Sequence, residues 1–172
     1  MAVPEIFNTI EQTGLSKWVR FTDSPFGFYF ILLFHTVGLS LLVGANAVVD
    51  LRLLGIGSAL PLKPMKQLFH FMWMGLGINA VTGLLLLIGY PTKAFTDWDF
   101  YIKMTFVALG VITMTRLYSR VFNVPGLSEE DMIAKGKTMA KFSLFFWIVA
   151  ISAGRFLSET FLYITYGHIY PR

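Results

Sequence analysis

Cysteine is absent from the 172 residues, which excludes disulfides, thiolate metal sites and cysteine-ligated iron–sulfur clusters. Charge is also scarce. Asp, Glu, Lys and Arg make up 14% of the chain, against about 25% in soluble domains. That is too little to cover a globular surface, so the composition excludes a soluble enzyme. Familiar chemical motifs are missing too. There is no phosphate-binding loop, no G-x-G-x-x-G after a strand, no H-E-x-x-H and no G-x-S-x-G. The bases are not clustered with aromatics, so the net charge of +4 does not describe a nucleic-acid surface and no nucleic-acid partner is expected. Glu5 and Glu11 stand near the N-terminus, with no basic region leading into an apolar core, so no cleavable signal peptide is expected.

Long apolar runs fill the place of charge. The chain is 55% hydrophobic with a mean hydropathy of +0.63. Runs near 26–49, 68–90, 100–117 and 138–166 each approach or exceed the ~20 residues that cross a bilayer as a helix. They are too long and continuous for barrel strands, and in lipid only helices or closed barrels satisfy their own backbone. The expected fold is all-α: a four-transmembrane-helix bundle forming one integral membrane domain over 1–172. Residues 5–20 mix Ile6, Ile10, Leu15, Trp18 and Val19 with charged and polar neighbours. They read as N-terminal amphipathic helix lying at the interface, broken near Gly14. Thr22, Asp23, Ser24 and Pro25 signal the start of the first span. Ser128 followed by Glu129, Glu130 and Asp131 predicts an N-cap, with a helix running from Glu129 toward the last span and a bend at Gly136. Residues 50–67, including Asp50 and Arg52, read as an irregular connection.

With four spans, one side of the membrane would hold Arg52, Lys63, Lys66, Arg116, Arg120, Lys135, Lys137 and Lys141. The other would hold Lys17, Arg20, Lys93, Lys103 and Arg172. The base-richer side is expected to be cytoplasmic, which puts both termini outside.

Arg155 is the residue least at home in its surroundings. It lies within the apolar run 142–166, with Glu159 one helical turn later. An arginine at the centre of a span costs at least ~2.5–3.5 kcal/mol on insertion scales, so a functional reading attaches to it by default. Counting ~1.5 Å per residue from the span ends puts His35, Asn79, Arg155 and Glu159 at similar depth in the outer half, with Lys103 nearer that surface. The expectation is a buried polar site built from these five residues. Each also has a plainer reading. Arg155 and Glu159 can neutralise each other as a structural pair, His35 and Asn79 can be interhelical hydrogen-bonding residues, and Lys103 can snorkel. Gly75, Asn79 and Gly83 form a small-residue row that invites close approach by another helix. His70 falls near the inner end of its span, which argues against ligation of one heme by both His35 and His70. His168 is expected to lie outside the bilayer and to be inert.

Three stretches carry a resemblance. They are His35-Thr-Val-Gly-Leu-Ser-Leu-Leu-Val-Gly44 leading into Asp50-Leu-Arg-Leu-Leu-Gly55, the run Asn79-Ala-Val-Thr-Gly83, and Ala153-Gly-Arg155. Together they resemble a family of four-span bacterial inner-membrane proteins known as a domain of unknown function. That resemblance implies residence in the bacterial inner membrane and brings no activity with it. A first-span histidine followed by glycines is also similar to small membrane families linked to heme b and to copper handling. This implies His35 as a metal ligand and heme b as cofactor.

Two functional expectations follow. In the first, His35 is an axial ligand for heme b or a contact to a quinone-like redox cofactor, Arg155 or Lys103 pairs a propionate or quinone oxygen, and Asn79 and Glu159 complete the site. In the second, the chain is a small transporter, proton pathway or assembly subunit. That role calls for a homo-oligomer or a membrane-complex partner, because four short spans make a poor alternating-access machine alone. Beyond a soluble enzyme, the sequence does not decide whether the protein is an enzyme.

Overall fold

The computed structural model describes residues 5–22 and 26–166, with side chains in the last helix described up to Leu157. Its elements are α1 (Glu5–Glu11), α2 (Gly14–Phe21), α3 (Phe28–Leu53), α4 (Leu68–Gly89), α5 (Pro91–Thr96), α6 (Trp98–Leu117) and α7 (Glu129–Tyr166). A 3-10 turn, Lys63–Gln67, leads into α4, and a π-helical turn, Tyr118–Phe122, continues α6. Among the described residues there is no strand. The expected all-α four-helix bundle is the observed fold.

Four helical stretches are long and apolar enough to cross a membrane: Phe28–Leu53, Lys63–Gly89, Trp98–Phe122 and Glu129–Leu157. Only 17–28% of their apolar windows is buried inside the protein. Most of that apolar surface therefore faces outward, where a bilayer is the solvent that suits it. The chain is thus of the multi-pass membrane class. α3 packs against both α4 and α7, and α6 packs against α7. The C-terminal ends of α3 and α6 and the N-terminal ends of α4 and α7 share one end of the bundle. Arg52, Lys63, Lys66, Arg116, Arg120 and Lys135 gather there.

Lipid removes most of the hydrophobic drive for helices to associate, so close packing and polar contacts must hold such a bundle together. Two mechanisms act here. At the base-rich end, Leu42, Val49, Leu53, Phe69, Met72, Met114, Leu117 and Trp147 interlock into a continuous core. Toward the middle, α3 and α4 touch backbone to backbone. A Cβ on Gly75 would lie 2.6 Å from both Gly38 O and Leu42 N, and one on Gly38 would lie 3.0 Å from Gly75 O. The small-residue row thus has Gly38 of α3 as its partner.

The caps agree with the sequence. Ser128 Oγ accepts from Asp131 N at 3.1 Å and donates to Asp131 Oδ2 at 2.7 Å, starting α7 at Glu129. α7 runs through Gly136 without a break in its helix, and Leu53 packs against that glycine. A Cβ at Gly136 would lie 2.9 Å from Leu53 Cδ2. The N-terminal segment forms two short helices, as expected, with the break at Gln12–Thr13 and Thr13 Oγ1 capping α2 by accepting from Ser16 N at 3.3 Å. These helices close the far end of the bundle. Val19 is buried against Gly89, Ser16 Oγ donates to Gly89 O at 3.4 Å, and Phe7 stacks on Phe95 at 5.2 Å. Arg20 pairs with Glu11 at 3.4 Å, and Glu11 Oε1 accepts from Thr92 N at 3.3 Å.

One boundary differs from expectation. Helix α3 continues to Leu53, so Asp50 and Arg52 lie in its last turns and are buried rather than looped out. The glycines that release the chain come later, at Gly55 (φ 99°) and Gly57 (φ 72°), a backbone region that only glycine enters cheaply. The expected helix start at Asp23, Ser24 and Pro25, and the placement of His168, lie outside the described residues.

Candidate functional site

Among the described residues, two polar groups are strung along one face of α3. His35 and Asn46 are eleven residues apart, about three turns, so they lie within roughly 20° of each other, and Asp50 follows one turn after Asn46. Leu42, 2% exposed, sits between them on the same stripe and separates the two groups.

The group nearer the N-terminal end of α3 joins α3 to α4. His35 Nδ1 lies 2.9 Å from Thr82 Oγ1, and Thr82 Oγ1 donates to Ile78 O at 2.6 Å. A hydroxyl has one hydrogen, and Thr82 spends it on its own helix. Nδ1 of His35 is therefore the donor to Thr82. In the neutral ring that assignment leaves Nε2 as a bare lone pair. Asn79 Nδ2 donates to His35 O at 3.2 Å and to Gly75 O at 3.3 Å. Asn79 thus sews α4 to α3 beside the glycine contact, which is its plainer reading. Lys103 comes from α6. Its stem lies along Gly154 of α7, whose added Cβ would be 3.5 Å from Lys103 Cδ and Cε. Its charge is near enough to act on the His35 ring.

Arg155 departs from expectation. Its side chain is exposed on the bundle instead of buried at the centre of a site, although it does have an interaction partner of its own. The reason is its place on α7. Ala153, 5% exposed, takes the inward position, and Gly154 receives Lys103, which turns Arg155 away from the core. The Glu159 side chain lies outside the described residues. The structure therefore joins His35, Thr82 and Asn79 from two helices, with Lys103 of α6 near enough for its charge to act on the ring, and leaves the Arg155 side chain exposed. His70 is exposed at the opposite end of the bundle, which keeps it away from His35.

The second group was missed by sequence reasoning. Asn46, Asp50 and Ser143 are 2%, 0% and 0% exposed. Asn46 Nδ2 donates both to Asp50 Oδ2 and to Ser143 Oγ, the latter at 2.7 Å, and so bridges α3 to α7. Asp50 Oδ1 is buried without a hydrogen-bond partner, as is Trp147 Nε1, one turn along α7 from Ser143. Among the described residues no base forms an ion pair with Asp50. A signal for the group did exist. Asn46 and Asp50 are four apart, Ser143 and Trp147 are four apart, and each pair falls on the inward stripe of its helix. Reading Asp50 as part of a loop hid it. Arg52, by contrast, has a structural task. Its Nε donates to Leu60 O at 2.6 Å and its Nη2 meets Glu129 Oε2 at 3.3 Å, while Glu129 Oε1 accepts from Leu62 N at 3.0 Å. That clamp ties the loop after α3 to the first turn of α7.

Fold and polar groups together define an integral-membrane helical bundle with ionisable side chains inside its spans, a placement costly enough to attach to function by default. No family model, curated protein or solved structure matches the chain. Among the described residues, no group of three or more His, Asp or Glu side chains could hold a metal ion.

Proposed function

We propose that this protein is a bacterial inner-membrane protein, with both termini periplasmic, that binds a redox cofactor of heme b or quinone type in the outer half of its bundle. This reading keeps the kinship with the four-span bacterial family that its H-x-x-G and D-L-R-L-L-G stretches resemble. The bare Nε2 of His35 carries it. A neutral imidazole whose Nδ1 proton is fixed by a second residue is the form that ligates iron or accepts a quinol proton. Lys103 supplies the cation that a propionate or a quinone oxygen calls for. Among the described residues His35 is the one histidine at this site, so heme would call for a further ligand from a partner chain, a second copy, a methionine or water. The test is an absorption spectrum of protein purified from heme-replete cells, together with mass spectrometry of the organic extract. A Soret band or a stoichiometric quinone, absent from His35→Ala, is the expected result. Colourless wild-type protein with no extractable quinone would overturn the reading.

A second reading, a proton pathway, is favoured by the partnerless Asp50 Oδ1. A carboxyl inside a span, with one oxygen free of hydrogen bonds, is the kind of group that takes up a proton and passes it on in a relay. Proton flux into proteoliposomes that Asp50→Asn abolishes would support this reading. Flux equal to empty vesicles in the wild type would sink it.

A further inference from the structure

A cavity of about 570 Å³ opens at the base-rich end, away from both polar groups, lined by Lys63, Lys66, Gln67, His70, Trp73 and Tyr118 among others. Its walls come from the 3-10 turn, α4 and the π-helical turn after α6, with nothing from α3 or α7, so it lies on the outside of the bundle. Lys63, Lys66, Gln67, His70 and Trp73 recur at helical spacing and form one stripe. The stripe is graded. Cations stand at its mouth, His70 sits one turn further in, and Trp73 lies ~15 Å from Lys63 along the axis. The apolar part of the span begins at Leu68, so the two lysines sit at headgroup level and Trp73 at the start of the hydrocarbon. Trp73 is 46% exposed, and Phe71 and Met74 beside it are equally open, which gives acyl chains a surface to follow.

Lys66 is held in place at the mouth. Its Nζ donates to Asn123 Oδ1 at 2.9 Å and lies 5.5 Å from the centre of the Tyr118 ring. An ammonium has three donors, so Lys66 keeps hydrogens for a ligand. No acidic side chain lines the cavity among the described residues. The π-helical turn, closed by Asn123 N donating to Tyr118 O at 2.8 Å, forms one wall, and such turns are frequent at functional sites.

We infer that this cavity binds the phosphate of an anionic phospholipid headgroup, with Lys63 and Lys66 on the phosphate and Trp73 against the upper acyl chains. Basic pockets beside spanning helices recognise such headgroups at roughly a five-fold gain per base. The inference is independent of either reading of the His35 and Asp50 groups.

The test is native mass spectrometry of the full-length protein in detergent, titrated with phosphatidylglycerol, phosphatidylcholine or inorganic phosphate. The expected result is a one-to-one phosphatidylglycerol adduct that outlasts the phosphatidylcholine adduct. The double variant Lys63→Gln/Lys66→Gln should weaken it about 30-fold. Lys135→Gln/Lys137→Gln removes the same charge from exposed positions at the same end and should leave the adduct unchanged, with circular dichroism confirming that both variants fold. Trp73→Ala should shorten the lifetime of the lipid adduct. Equal loss in both double variants, or equal adducts with the two lipids, would overturn the inference. Inorganic phosphate displacing the lipid at equal concentration would assign the cavity to a soluble anion and overturn it as well.

Discussion

The two ends of this bundle are held together differently. At the base-rich end, four helices interlock around Leu42, Met72, Met114 and Trp147, and the ring of Trp147 fits against Gly110 so closely that an added Cβ there would lie 2.9 Å away. At the opposite end few span side chains are buried, and beyond the mid-bundle glycine contact α3 and α4 are joined by hydrogen bonds of His35, Thr82 and Asn79. In lipid an apolar side chain gains little by leaving one hydrocarbon surface for another. Stability therefore follows fit at the first end and polar satisfaction at the second. The group proposed to meet a cofactor lies where packing leaves surface open, whereas the Asp50 carboxyl lies within the packed end.

The sharpest way to break this comparison is on one helix. Trp147→Ala should cost about 3 kcal/mol in a detergent unfolding titration, from lost contacts and a residual cavity. Phe145→Ala, two residues away but 54% exposed to the outside, should change the same midpoint by less than about 1 kcal/mol. Equal effects would mean that packing is uniform and that the proposed division between the ends is wrong.

Next in size is the backbone contact. Gly75→Ala should destabilise by about 2 kcal/mol, because its methyl group meets main-chain atoms that cannot rotate away. Gly77→Ala has nothing within 4 Å and should be neutral or stabilising by about 0.5–1 kcal/mol through helix propensity. A reversal of that order in thermal unfolding would contradict the α3–α4 contact.

A smaller effect is expected at the buried carboxyl. Asp50→Ala leaves the Asn46 amide short of an acceptor and should cost about 1–2 kcal/mol. Asp50→Asn keeps the shape and a carbonyl acceptor for Asn46, and should stay within about 0.5 kcal/mol of wild type if the native group is a neutral acid. A large loss in Asp50→Asn would show that the site needs the carboxylate charge. The least effect belongs to His35→Ala, about 0.5 kcal/mol or less in the same assay, since its single hydrogen bond is only half-buried. If it instead unfolds the protein, His35 is a structural residue and the cofactor reading loses its anchor.

Much of this was legible in the chain, and unevenly so. The spans, the Ser128 cap and the Gly75 row were readable because each depends on local pattern: apolar run length, a side chain reaching three residues on, a small residue repeated every four. Arg155 misled because the cost of an arginine in a span is the same whichever way it points, and direction is set by what the neighbouring helices occupy. Ala153 and Lys103 took the inward space. Asp50 misled in the opposite sense. A carboxylate and an arginine near a helix end look like an interfacial boundary, and only Ser143, ninety-three residues later, shows that Asp50 faces the interior.

By itself the sequence determined that this is a four-span all-α membrane protein, because hydropathy, span length and backbone hydrogen bonding in lipid leave no other economical fold. It also placed His35, Asn79, Lys103 and Arg155 within the spans, but not Asp50, which lies in the last turns of α3. Tertiary structure alone decided how those residues are grouped: His35 with Thr82 and Lys103, Asp50 with Asn46 and Ser143, Arg155 to the outside. Rotation of each helix about its own axis is chosen by the fit of its neighbours, and that fit is made by residues far apart in the chain.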